Sequence, residues 1–153
     1  MARHMLLISS NNRIDRDGEI VTEKALADYV RRSHDKTGNY IGNNDLLWWH
    51  GGEPIGKIIE CDLVYGFLVE IAEELPNAVV TVGKAENQER VAIADIWNMV
   101  QKAPNLFAVS QGGYGVTDGT DNTVLSAIVK RESSLLPAQN PANLFTGAWV
   151  FGG

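Results

Sequence analysis

A single cysteine, Cys61, occurs in 153 residues, which excludes an internal disulfide and any cysteine-rich zinc site. That usage suits a reducing cytosol, and the expected role of Cys61 is a small buried hydrophobe. Long apolar runs are also missing. No stretch approaches the ~20 residues a membrane-spanning helix requires, and the N-terminus lacks the apolar core of a secretory signal, so a soluble intracellular protein with no membrane partner is expected. Basic residues are outnumbered, 13 Lys and Arg against 19 Asp and Glu, for a formal charge of -6. A field of that sign opposes tight binding to a phosphate backbone and makes nucleic acid a poor candidate partner. Internal repeats, low-complexity tracts and linkers are absent as well.

What is present is enough apolar residue, 44% of the chain, for one continuous core, so residues 1–153 are expected to form a single domain. Met5 offers a second start, and the first four residues read as a remnant with no assigned role. The abrupt Gly152-Gly153 end reads as a truncation or processing point.

Along the chain, "MLLISSNN" predicts a strand and "DRDGEIV" a turn around Asp17-Gly18 leading back into extended chain. Thr22 is placed to cap a helix over residues 23–32, with Leu26, Tyr29 and Val30 on one face and Arg31-Arg32 at the negative end of the dipole. A polar loop precedes the strand "LLWWH". "PIGKIIECDLV" and "GFLVEIA" predict a hairpin turning at Tyr65-Gly66, followed by a short strand in "NAVVTVG". Between Glu86 and Lys102 the period changes to 3.6, with Ile93, Ile96, Trp97 and Val100 as the apolar stripe and Pro104 beyond its end. "LFAVSQGGYGV" and "NTVLSAIVKRESSLL" predict two further strands joined by "TDGTDN". The sum is an α+β chain dominated by antiparallel strands.

Three segments carry groups with chemistry. Ser110 ends an apolar run and is followed by Gln111-Gly112-Gly113; glycines let backbone N–H groups approach a reacting carbonyl, as a nucleophilic serine needs, and they also simply make bends. His50 follows four large apolar residues and precedes Gly51-Gly52, which fits either a core histidine or a general base at a strand edge. Glu132, within "AIVKRESSLL", reads either as the solvent-facing member of an alternating strand or as the carboxylate that orients His50. Lys130 and Arg131 are surface charges or groups near an oxyanion. His4 and His34 read as solvated. Asp15, Asp17 and Glu19 faintly suggest calcium, but the twelfth position from Asp15 is Leu26 rather than a bidentate Glu, so a turn is the better reading. "GGYG" lacks the Gly-Lys-Ser/Thr ending of a phosphate loop. The tryptophans 48, 49, 97 and 149 are read as packing ahead of an interaction surface.

In the order "DRDGEIV", "LLWWH", "EPIGKI", "AVSQGGYG" and "RESSLLPAQNPAN", these segments resemble the prohead proteases of tailed bacteriophages, relatives of herpesvirus assemblin. The resemblance spans residues 8–143. It implies a mainly antiparallel β-barrel flanked by helices, with Ser110 as nucleophile, His50 as general base and Glu132 as third member. Gly112, Gly113, Lys130 and Arg131 would lie near the oxyanion or the substrate. It implies no metal and no organic cofactor. The implied activity is serine endopeptidase cleavage of phage scaffold protein, the N-terminal region of the major capsid protein and the protease itself, inside the assembling prohead in the host cytoplasm. Assemblin relatives dimerise, so a homo-oligomer is included. Three residues separate Ser110 from Tyr114, more than the pattern has, which supports a competing expectation: an inactive structural or binding module with the same fold. A hydrolase of non-peptide esters is a third reading.

Overall fold

The computed structural model describes residues 2–140 and 144–152. The "PAN" of the sequence pattern, residues 141–143, lies outside them, as do Met1 and Gly153. The elements in order are β1 (Arg3–Asn11), β2 (Ile20–Val21), α1 (Glu23–Arg32), β3 (Asp45–Trp48), β4 (Gly51–Val64), β5 (Phe67–Glu74), β6 (Val79–Val82), β7 (Glu89–Ala92), α2 (Ile93–Lys102), β8 (Phe107–Thr117), β9 (Val124–Pro137) and β10 (Gly147–Gly152), with a 3-10 turn at Pro104–Leu106. The chain is α+β and strand-dominated, and its sheet curls into a half-barrel carrying two helices.

The sheet runs β10-β1-β5-β4-β3-β9-β2, with β8 on β9 and the β6-β7 hairpin reached from β4. Most pairs are antiparallel, but β2 and β3 both run parallel to β9 along one edge, which the expectation of antiparallel strands did not include. β8 returns alongside β1 and β10 without pairing to either. A side chain bridges that seam, Thr146 Oγ1 accepting from Val109 N–H at 3.1 Å.

Period-2 alternation explains which face of each strand is buried. In β5, Leu68, Glu70 and Ala72 point inward, and in β1 Met5 and Leu7 do the same. α1 forms where its cap and stripe require: Thr22 Oγ1 accepts from Ala25 N–H at 3.1 Å, and Ala25, Leu26 and Tyr29 pack with Val21, Cys61, Leu68 and Ile128. α2 has no capping side chain of its own at Ala92. Asn77 Oδ1 takes Ala94 N–H at 3.1 Å in its place. Ile93, Ile96, Trp97 and Val100 bury the helix face, and Trp97 Nε1 donates to Ile55 O at 2.9 Å, pinning α2 across β4. Removing the Trp97 side chain should cost about 3–5 kcal/mol. The helix starts at Ile93 because residues 89–92 pair with β6 first, later than the periodicity from Glu86 implied. No helix among the described residues is long and apolar enough to cross a membrane.

The structure adds to one expectation and corrects another. Residues 3 and 4 belong to the sheet. Arg3 Nε and Nη2 grip both oxygens of Glu74, at 2.9 and 2.7 Å, and Nη1 reaches Asn98 and Gln101 on α2. His34 is not solvated: Nδ1 bonds Val30 O at 2.7 Å, and Nε2 pairs with Glu60. The second of these partners is remote in sequence, which is why local polarity misled. The Asp15 turn forms as expected, with Asp15 Oδ1 accepting from the N–H groups of Asp17 and Glu19 at 2.9 Å each.

Candidate functional site

β9 is the strand that gathers the site. Along one edge it runs parallel to β3, Asp45 opposite Glu132 and Trp48 opposite Leu135. Along the other it runs antiparallel to β8, Ser110 opposite Ser134 and Gly112 opposite Glu132. β3 ends in a two-residue turn, Trp49-His50, that reverses into β4 with Trp48 opposite Gly51. Trp49 N–H still reaches Leu135 O at 3.2 Å, so the turn is held against β9.

Trp49 and His50 have φ of 54° and 56°. Two-residue hairpins of this type require φ > 0 at both central positions and favour Asn-Gly for that reason. The opposite end of β4 follows the rule more closely, Tyr65-Gly66 having φ of 50° and 80°. Trp49-His50 has no glycine, and left-handed backbone at bulky residues costs on the order of 1–3 kcal/mol each. Glycines instead flank the turn. A Cβ at Gly51 would lie 2.6 Å from Gly83 O and one at Gly52 2.4 Å from Thr81 O, so the β6-β7 hairpin packs against the backbone just after His50.

From that turn His50 makes two contacts with β9. Its N–H donates to Ser134 Oγ at 3.0 Å, and its ring Nδ1 lies 2.5 Å from Glu132 Oε1. A carboxylate can only accept, so Nδ1 carries the proton and Nε2 of the neutral ring is left as the acceptor. Ser134 Oγ completes the link by donating to Glu132 Oε2 at 2.6 Å. The His50 side chain is 24% exposed and that of Glu132 14%, so the pair opens to solvent on the ring side. Ser134 is fully buried and occupied at both ends, which makes it a strut and keeps it from a substrate.

Ser110 is partly exposed and shares the sheet face of Ser134, since directly opposed side chains have Cβ atoms about 4.5–5.5 Å apart on one face. The hydrogen bonds of the site join His50, Glu132 and Ser134, and Ser110 takes no part in them. Gly112 is required on steric grounds, because a Cβ there would fall 1.8 Å from Glu132 Oε1 and only glycine leaves room for the carboxylate. Gly113, at φ 142°, faces Lys130 across a register shift.

The residues expected near an oxyanion part company. Arg131 is exposed, its guanidinium 5.6 Å above the Tyr114 ring. Lys130 points to the other face of the sheet, 1% exposed, with Nζ 3.0 Å from Glu70 Oε2. Its ammonium therefore does not face the His50 side. The two atoms meet off the line of a hydrogen bond, so both stay without one while forming an ion pair. Gly112, Gly113 and Lys130 also border a groove of about 190 Å³ closed by Asp15 and Glu19. A larger recess, about 510 Å³, lies beside the strained turn between Trp48, Trp49 and Gly83, Lys84, Asn87 and Glu89.

Titration behaviour follows burial elsewhere. Desolvation pushes the Cys61 thiol up to about 11, which leaves it inert as a nucleophile. Desolvation also raises Tyr29 and Tyr40 well above the ordinary phenol value, the Glu70 charge adding to both. His34 is raised by the Val30 carbonyl first and Glu60 second. Asp15, Asp17 and Glu19 bring carboxylate oxygens within 4.8 Å of one another, but Asp15 Oδ1 is used within the turn.

Sequence reasoning did not single out Ser133, Ser134 or Glu70. A signal existed for each: Ser133-Ser134 are small polar residues inside an aliphatic strand, and Glu70 sits on the apolar phase of "FLVEIA", where an unpaired charge would be costly. No family profile, curated protein or solved structure matches the chain.

Proposed function

We propose that the protein is a serine endopeptidase using Ser110, His50 and Glu132. The observation that carries the reading is the His50–Glu132 pair at 2.5 Å, held by Ser134, with no partner for Nε2 among the described residues and Ser110 on the strand beside Glu132. In this reading Ser110 Oγ attacks the scissile carbonyl while His50 Nε2 takes its proton. Glu132 holds the ring by Nδ1 and offsets the charge of the imidazolium. The proton then passes to the leaving amine, and water, deprotonated by the same nitrogen, hydrolyses the acyl-enzyme. Ser110 Oγ and the ring must first come within hydrogen-bond reach, a tightening common on substrate binding.

The resemblance to prohead proteases supplies the substrate class: scaffold protein, the N-terminal region of the major capsid protein, and the chain itself, within a phage shell in the host cytoplasm. Confinement there raises local concentration enough for weak binding to suffice. An inactive module with the same architecture is the second reading, favoured by the separation of Ser110 from the hydrogen-bonded trio. Fluorophosphonate labelling with mass mapping decides between them. Modification of Ser110, abolished in Ser110→Ala, supports the protease; an unlabelled folded protein supports the module. Equal cleavage of co-expressed capsid and scaffold proteins by Ser110→Ala and the parent would refute the role of Ser110.

A further inference from the structure

In a regular strand residues three apart face opposite sides. Lys130 and Ser133 break that rule, because both reach the same carboxylate: Lys130 Nζ lies 3.0 Å from Glu70 Oε2, and Ser133 Oγ donates to Glu70 Oε1 at 2.5 Å. The reason is a β-bulge. Gly112 is opposite Glu132 and Gly113 opposite Lys130, so Arg131 is the extra residue and the facing of β9 changes phase across it. Ile128 and Lys130 before the bulge, and Ser133 and Leu135 after it, face inward. Glu132 and Ser134 thereby face His50. Without the bulge Glu132 would share the inward face of Lys130, and Ser133 would take the outward one.

We propose that Glu70, with Lys130 and Ser133, is a clamp spanning the bulge that sets the phase of β9 and so turns Glu132 toward His50. Glu70 and Lys130 are positioning residues. They touch neither substrate nor the reacting atoms, and they lie on the far face of the sheet from them. The clamp is specific to the bulged register because one carboxylate engages groups on both sides of Arg131, an arrangement that a slipped strand cannot offer. The pair's burial argues against a purely stabilising role. Both side chains are essentially inaccessible, 1% and 0% exposed, and a buried ion pair is often replaced by apolar residues without loss of stability, whereas fixing register is its best-attested use. Gly112 and Gly113 accommodate the outcome on the opposite strand, one leaving space for the Glu132 carboxylate and the other supplying the left-handed backbone across the shift. The proposal rests on reading His50 and Glu132 as a working pair, but its test does not require protease activity.

The test is the double variant Glu70→Leu/Lys130→Met, which removes both charges at similar volume. In the parent, proton NMR should show a far-downfield His50 Nδ1–H signal that disappears in Glu132→Gln. The double variant should unfold cooperatively near the parent's temperature, lose that signal as Glu132→Gln does, and lose at least ten-fold in the rate of Ser110 labelling. A folded double variant that keeps the signal overturns the proposal, as does a parent that lacks it. If the double variant does not fold, Ser133→Ala removes one arm of the clamp by deleting a single hydroxyl. Its His50 Nδ1–H should exchange with water at least five-fold faster than in the parent, and unchanged exchange overturns the proposal. A parent that shows the signal yet never labels at Ser110 refutes the protease reading alone.

Discussion

Two histidine–glutamate pairs among the described residues are joined by short hydrogen bonds, and they differ in what is left over. His34 has both ring nitrogens engaged, Nδ1 by Val30 O and Nε2 by Glu60. Both partners can only accept, so the ring is held doubly protonated, with nothing free to take a proton from a substrate. His50 has one nitrogen engaged, by Glu132, and the other has no partner among the described residues, with Ser110 on the strand beside Glu132. A short hydrogen bond to a carboxylate is therefore no mark of catalysis in itself. What distinguishes the second pair is the unused nitrogen, the strut beneath the carboxylate and a hydroxyl on the neighbouring strand.

The comparison can be broken most directly at His50. His50→Ala should lower Ser110 labelling by several orders of magnitude, in the range of ~10⁴–10⁶ for loss of a triad base, while circular dichroism stays unchanged. Glu132→Gln should lower it by about 10⁴, since an amide can donate to Nδ1 and impose the wrong tautomer. Ser134→Ala is next. It leaves His50 N–H and one Glu132 oxygen without their partner, so a loss of about 1–3 kcal/mol in urea unfolding is expected. Labelling should fall roughly ten-fold, the equivalent of about 1.4 kcal/mol, and Ser134→Thr, which keeps the hydroxyl, should restore it. Labelling at the parental rate in Ser134→Ala would make Ser134 a packing residue.

The smallest effect belongs to the closed pair. His34→Gln should leave labelling untouched. Because His34 is raised in the folded state, its contribution to stability is fully present below the unfolded value of about 6.5 and is lost as pH rises through the higher folded value. Glu60 is 47% exposed, so solvent screening keeps its share of that contribution below about 1 kcal/mol, beside the larger part from the Val30 carbonyl. Urea unfolding of parent and His34→Gln should differ by more at a pH below the unfolded value than at one well above the folded value; a difference that grows with pH would reverse the assignment.

Much of this was legible in the chain for physical reasons. Thr22 and the Leu26–Tyr29 stripe mark α1 because capping and periodicity are local, and Tyr65-Gly66 marks its hairpin because the turn geometry demands glycine. Ser110, His50 and Glu132 were nameable from polarity breaks and pattern, and the structure brings His50 and Glu132 into contact and Ser110 onto the adjoining strand. Facing within β9 was not legible. The extra residue Arg131 leaves no signature in β9 itself, the glycines of the shift lying on β8, so Lys130 and Glu132, two apart, looked like neighbours and lie on opposite sides. The short strands β7 and β10 also escaped, four and six residues long, the second with glycine at both ends. The curl was expected as a barrel; what forms is a half-barrel whose seam between β8 and β1–β10 is bridged by a side chain rather than a ladder.

The turn at Trp49-His50 has a practical consequence for anyone engineering the molecule. Screens that reward heat resistance alone will favour small, left-handed-tolerant residues at those two positions, as Gly66 already illustrates at the other end of β4. Each such winner would be hardier and, at position 50, would lack the imidazole on which the proposed activity rests. Durability and the proposed activity pull in opposite directions at that one corner, so a stabilising programme should hold residues 49 and 50 fixed and look for its gains elsewhere.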